Sequence, residues 1–179
     1  MTAPWLPCPL TVCSNQGARS PRNLEDVVRA LRVDTDPRYA PRDLNADGTR
    51  ETFCNIFLWD FSRAMGVEIP HWVDAQGCPC APGKGLELNA NATVRWMVSY
   101  GVPHYGWEQV LEPVARARVL RGEPTVALWQ NHSGIGHVAA LVPARTGETY
   151  IAQAGAACFS RGPLSRGFGR LSPVFYSHA

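Results

Sequence analysis

One stretch constrains this chain more than any other: residues 52–66, TFCNIFLWDFSRAMG. Ile56, Phe57, Trp59, Phe61, Ala64 and Met65 fall mostly at three- and four-residue spacings, so the run predicts a largely buried helix. Thr52 is placed to act as its N-cap and Gly66 to stop it at C′. Cys54 then lies in the first turn, where unpaired backbone N–H groups and the positive end of the helix dipole favour a thiolate. A cysteine there is either a small buried residue, as free cysteines commonly are, or a nucleophile. The helix by itself leaves both open.

A chain of 179 residues has length for one domain with a real core. The expected division is an irregular arm over residues 1–20 and a single domain over 21–179. Apolar content of 45% and charged content of 18% fit a globular protein. A net charge of +2, with no block of like charge, gives no sign of a nucleic-acid binder, and a monomer is expected. No apolar run approaches a membrane span, so no membrane insertion is expected. The opening residues, MTAPWLPCPLTVCSNQGARS, lack a basic segment and carry too many prolines for a signal peptide, so synthesis in the cytoplasm without such a signal is expected. The N-x-S/T sequons at Asn91 and Asn131 carry no weight in that setting.

Six cysteines stand at 8, 13, 54, 78, 80 and 158. The number is even, but the chain is too large and apolar to need a disulfide framework. Cys78-Pro79-Cys80 with His71 nearby leaves structural zinc open, although paired C-x-x-C spacing is absent. A disulfide from Cys78 or Cys80 to the N-terminal segment is open as well.

Ser20 and Pro21 open a helix over SPRNLEDVVRALRV, with a cap, proline at N1, acids early and arginines late. A polar loop, VDTDPRYAPRDLNADGTRE, leads into the Cys54 helix, and VEIPHWVDAQGCPCAPGKG beyond Gly66 holds too much Pro and Gly for regular structure. A second amphipathic helix is predicted over 87–100, ended by Gly101, and a third from Pro113 to Gly122. The character then changes. Residues 124–130, 137–143 and 149–153 read as strands separated by turn chemistry, with a last strand in LSPVFYSHA. Helices first and an antiparallel meander second argue for an α+β domain.

His137 opens the second of those strands just after Gly136, held rigidly yet able to face a cleft. Gln153 ends the next strand across a short hairpin, in reach of orienting the His137 ring if the turn is tight. A nucleophile at a helix start, a base on a strand and a polar group fixing the base is the logic of a cysteine hydrolase.

A helix starting with cysteine, a strand starting Gly-His-Val-Ala and a following strand with a polar residue resemble the papain-like cell-wall hydrolases of the CHAP and NlpC type. The matching residues are 52–66, GHVAALVP (136–143) and TYIAQAG (149–155), with PTVALWQN (124–131) resembling the strand before the histidine strand. The resemblance spans residues 40–160 and implies a papain-like catalytic domain. It also implies hydrolysis of a peptidoglycan amide bond, with Cys54 as nucleophile and His137 as base. The third position in such families is often Glu, Asn or His; here it is Gln153, which can hold an imidazole but cannot stabilise imidazolium by charge. A phage endolysin and a secreted antibacterial effector both fit this resemblance, and a wall-binding module without catalysis is the rival.

Asp43, Asn45, Asp47 and Gly48 follow the opening of an EF-hand loop, with Thr49 where a backbone carbonyl would bind. The twelfth position is Cys54 rather than Glu, so the pattern is broken, and an Asx-rich turn is the plain alternative. Some CHAP enzymes resemble this chain in carrying calcium ahead of the cysteine, which implies Ca²⁺ here. Trp72, Tyr105, Trp107 and His132 are candidates to line a groove for glycan or peptide, against core packing as the alternative.

Overall fold

The protein is described here from a computed structural model covering residues 4–179; the expectation of an irregular arm extends over residues 1–3, outside the described residues. From Pro4 to Ser20 the chain has no regular structure beyond a 3₁₀ turn at Gln16–Ala18. It is nonetheless stitched to the body. The Cys8 N–H donates to Asp60 at 3.0 Å, the Ser14 N–H to the Ala64 carbonyl at 2.8 Å, and the Trp5 ring packs on Phe53 with centroids 5.1 Å apart.

Helix α1, Pro21–Leu31, starts as its sequence predicts: Ser20 accepts from the Asn23 N–H at 3.1 Å and Pro21 stands at N1. Helix α2, Cys54–Ala64, is buried nearly all round, and Gly66 follows its end at φ +71°, the left-handed C′ stop. Its start differs from expectation. The N-cap is Phe53, not Thr52, and no side chain caps it. The Phe53 N–H instead donates to the Ala154 carbonyl at 3.2 Å, so a distant strand fixes where α2 begins.

A two-stranded ribbon joins β1 (Trp72–Val73), inside the segment expected to be irregular, to β2 (Leu86–Glu87), just beyond it, where the second helix is predicted to open at Glu87. Helix α3, Ala90–Trp96, is capped by Asn89 and does not end at Gly101. It passes through a wider turn at Met97–Gly101, in which the Val102 N–H reaches back to Met97, into α4, Val102–His104. A Cβ on Gly101 would sit 2.7 Å from the Met97 sulfur and 3.1 Å from the Trp96 ring. Gly101 is there for close packing, not for termination.

Strand β3 (Trp107–Val110) and helix α5 (Glu112–Val119) follow, then β4 (Thr125–Trp129), β5 (His137–Val142), β6 (Tyr150–Ala154), β7 (Cys158–Pro163), α6 (Leu164–Phe168) and β8 (Val174–His178). The six-stranded sheet is antiparallel throughout, in the order β3-β8-β4-β5-β6-β7. This is a mixed α+β architecture. The meander covers β4 to β7, and β8 and β3 extend it on the other side. Every residue from Val138 to Val142 is buried. Successive strand residues face opposite sides, so β5 is covered on both faces. Helices α2 and α5 both pack against it, and α1 packs on α2. Among the described residues, no helix is long and apolar enough to cross a membrane.

Candidate active site

The site forms where the start of α2 meets the start of β5. Cys54 is the first residue of α2 and is only 2% exposed, yet it lines a cavity of about 340 Å³. The backbone N–H groups of Val138, Asn55 and Cys54 itself lie against its sulfur. Val138 is the neighbour of His137, so α2 and β5 bring the thiol next to the histidine's own stretch of strand.

His137 is half-buried, and its Nε2 lies 2.6 Å from Gln153 Oε1. Gln153 is buried, and its amide nitrogen donates to the Ala157 carbonyl at 3.0 Å. That second bond settles the amide orientation, since a flip would set oxygen against oxygen. Oε1 can only accept, so His137 Nε2 carries the proton and Nδ1 keeps the lone pair of a base.

Glycines and a phenyl ring wall this pair in. The Phe168 ring stacks at 4.9 Å from the imidazole. A Cβ on Gly155 would lie 3.0 Å from the Gln153 amide nitrogen and 3.2 Å from His137 Cε1, and one on Gly167 would strike Gln153 Oε1. These positions admit only glycine if the imidazole and amide are to keep their places.

Burial pushes the Cys54 thiol up, and the three surrounding N–H groups oppose it without prevailing. Burial likewise pushes His137 down, against the Gln153 hydrogen bond. Burial thus works against the thiolate that the helix start favours, and against charge on the imidazole.

The substrate candidates divide. Trp72 is buried with its indole N–H on the Trp5 carbonyl at 3.2 Å, and it lines a second cavity of about 870 Å³ that shares Trp5, Leu44 and Glu87 with the first. Trp107 is buried at the sheet edge against His178, rings 5.6 Å apart, and cannot line a groove. Tyr105 packs on Trp96 at 5.2 Å, and His132 sits exposed in the turn before His137; neither lines the Cys54 cavity.

The 43–49 loop closes on itself. Asp43 accepts from the N–H groups of Asn45, Asp47 and Gly48, Asn45 accepts from Asp47, and Asp47 accepts from Thr49 at 2.7 Å. Among the described residues no three His, Cys, Asp or Glu side chains converge as metal ligands. Asp43, Asn45, Asp47 and Thr49 make the hydrogen bonds of an Asx-rich turn. His71, Cys78 and Cys80 do not gather either: His71 is bonded to Glu87 at 2.7 Å, and all six cysteines are free thiols.

Three contributors escape sequence reasoning. Asn91 of α3 donates to the Asn131 and Gly134 carbonyls at 3.0 and 2.7 Å and accepts from the Asn131 N–H at 2.9 Å, fixing the turn that delivers His137. Asn55, next to Cys54, donates to the Leu88 carbonyl at 2.8 Å and faces His71 Nδ1 at 3.5 Å. Asp60, fully buried in α2, anchors Arg38 and Tyr39. Only Asp60 has a local signal: it is a lone acid in an apolar helical stripe. No protein-family model matches the chain, and no curated protein matches it at a significant level.

Proposed function

We propose that this chain is a papain-like cysteine hydrolase that cleaves an amide bond in the peptide of bacterial peptidoglycan, acting as a phage endolysin or a secreted antibacterial effector. The observation that carries the reading is the His137–Gln153 bond of 2.6 Å, locked by Ala157, on the strand against which the helix opening with Cys54 packs. A histidine held as a base with one open nitrogen is what a buried thiol needs. His137 Nδ1 takes the Cys54 proton as sulfur attacks the carbonyl carbon, and the imidazolium then protonates the leaving amine. In the second half His137 takes a proton from water, which releases the acyl group and restores the thiol. The backbone N–H groups at the start of α2, beginning with that of Cys54, would serve as the oxyanion donors.

Purified walls provide the test. The protein should clear their turbidity, and mass spectrometry of the released fragments should show new amine and carboxyl ends at one peptide bond. Cys54→Ala and His137→Ala should each stop this. Clearing by Cys54→Ala protein would exclude the mechanism.

A further inference from the structure

The cavity at Cys54 has a charge of its own. Among the described residues its lining holds two carboxylates, Glu51 and Glu87, and no Lys, Arg or His; Arg42 and Lys84 line the adjoining 870 Å³ space instead, and neither is ion-paired with Glu87. The two acids are not equivalent. Glu51 Oε2 is committed to the Leu44 N–H at 2.9 Å, and its backbone is bridged to Arg42, so it serves the loop. Glu87 stands on β2 in register with Trp72, its side chain 46% exposed, and lines both the 340 Å³ and the 870 Å³ cavities.

Its anchor is unusual. Glu87 Oε1 is 2.7 Å from Nε2 of His71, a residue 1% exposed. Burial holds His71 towards its neutral form, against the pull of Glu87. The imidazole thus orients the carboxylate through Oε1, and Oε2 has no hydrogen-bond partner among the described residues. Apolar surface flanks the same space. Ile135 is 80% exposed and Leu44 45% exposed, and both line the cavity along with Trp5. An aliphatic stem between Ile135 and Leu44 and a cation at Glu87 would satisfy the lining together.

Resting on the hydrolase reading above, we propose that Glu87 is the specificity-determining residue that receives an ammonium group of the substrate peptide, beside the amide that Cys54 attacks. The ammonium is either the side-chain amine of a diamino acid or the free amino terminus of the stem peptide. A charge-assisted bond of this kind, partly shielded from water, changes affinity by about tenfold or more and weakens with salt.

Binding is measured with Cys54→Ala protein, which keeps the cavity but cannot turn over. The ligands are three synthetic stem peptides: one with both amines free, one acetylated only at the side-chain amine, and one acetylated only at the amino terminus. Loss of affinity of at least about tenfold on one of the two acetylations, smaller at high salt, is expected and identifies which amine is read. Adding Glu87→Gln should bring the free peptide down to the affinity of the acetylated one. Glu87→Asp, which keeps the charge, should retain most of the discrimination, so a folding defect in the Gln variant cannot mimic the result. Equal affinity for all three peptides, or unaltered discrimination in Glu87→Gln protein, overturns the proposal. Catalysis is scored separately with native Cys54: turnover of the free peptide with no amine preference sinks this inference alone, whereas selective binding without turnover sinks only the hydrolase reading.

Discussion

Helix α2 carries two buried polar networks, one at its middle and one at its start. At the middle, Asp60 is ionic and saturated. Its Oδ1 accepts from the Cys8 N–H at 3.0 Å and Arg38 at 3.3 Å, and its Oδ2 accepts from Arg38 at 2.7 Å and the Tyr39 hydroxyl at 3.0 Å. At the start, burial disfavours charge on both Cys54 and His137, and one ring nitrogen of the histidine is uncommitted. A carboxylate with four donors has no valence left for a ligand, and its worth lies in holding the arm and the 36–42 segment to α2. A thiol at the head of a helix that packs on the histidine's strand contributes little to stability. The two networks differ in their free acceptors: Asp60 has all its oxygens engaged, whereas His137 keeps one ring nitrogen uncommitted.

The most severe test exchanges the two networks. Cys54→Ala should lose at least about a thousandfold in lysis rate. It should shift unfolding by less than about 1 kcal/mol, because the change is small and no ion loses its partner. Adding His137→Ala to it should cost little more, since the two act as one machine. Asp60→Ala should do the reverse. Stranding Arg38 and Tyr39 should cost about 3–5 kcal/mol, or roughly 10 °C in melting temperature for a chain of this size. Activity per folded molecule, measured well below that melting point, should survive. Equal losses of activity and stability in both variants would erase the distinction.

That distinction is half legible in the amino-acid sequence. The Ser20-Pro21 cap, the apolar spacing of 52–66 and the Gly-His strand are local signals, and the structure places their elements where local chemistry puts them. What escapes is long-range. The exact start of α2 depends on the bond from Phe53 to Ala154, and the turn before His137 depends on Asn91, forty residues away. Strand β7, CFSRGP, contains Gly and Pro that argue against a strand, but it lies at the sheet edge, where a missing N–H is tolerated. Strand β3 forms the opposite edge, and Trp107 on it reads as a groove aromatic until pairing with β8 buries it. The His137–Gln153 pairing was reachable from hairpin geometry alone; the cavity at Cys54 was not, because its walls come from the arm, β2, α3 and the 131–136 turn.

A smaller effect separates orientation from charge. Gln153→Ala should reduce turnover by about ten- to a hundredfold, because the ring loses its tautomer lock but not its position against Phe168. Gln153→Glu places an anion on Nε2, which favours imidazolium and raises the His137 pKa. The acid limb of the activity profile should then move to higher pH, a shift that mere loosening of the fold would not produce. An unmoved limb would mean that Gln153 does not touch the catalytic base.

Stability against pH should show the same bias against charge. His137 and His71 both sit below their ordinary value of 6.5 in the folded chain, so between the folded and unfolded values the unfolded state binds more protons. Their contribution is complete above about pH 6.5 and falls as the pH drops below it. Cys54 lies above its ordinary 9.0, so its contribution is lost as the pH rises past about 9. Denaturant titrations should give a plateau between these limits, and His137→Gln should flatten the acid side.

The faintest response is expected at the 43–49 loop, which the sequence likens to a calcium site. Its carboxylates are held below the usual range, Asp43 chiefly by the Gly48 N–H and Asp47 chiefly by the Thr49 N–H. Oxygens already engaged by main-chain donors make poor ligands unless the loop rearranges. A site of millimolar affinity in 1 mM calcium would add about 0.4 kcal/mol, about 1 °C. A micromolar site would add about 4 kcal/mol, roughly 10 °C. The first figure is the expected ceiling, and magnesium should do no more. A rise near the second, absent from Asp47→Ala protein and accompanied by faster lysis, would show that the loop opens its acceptors to the ion and braces the start of α2 through Glu51 and Thr52.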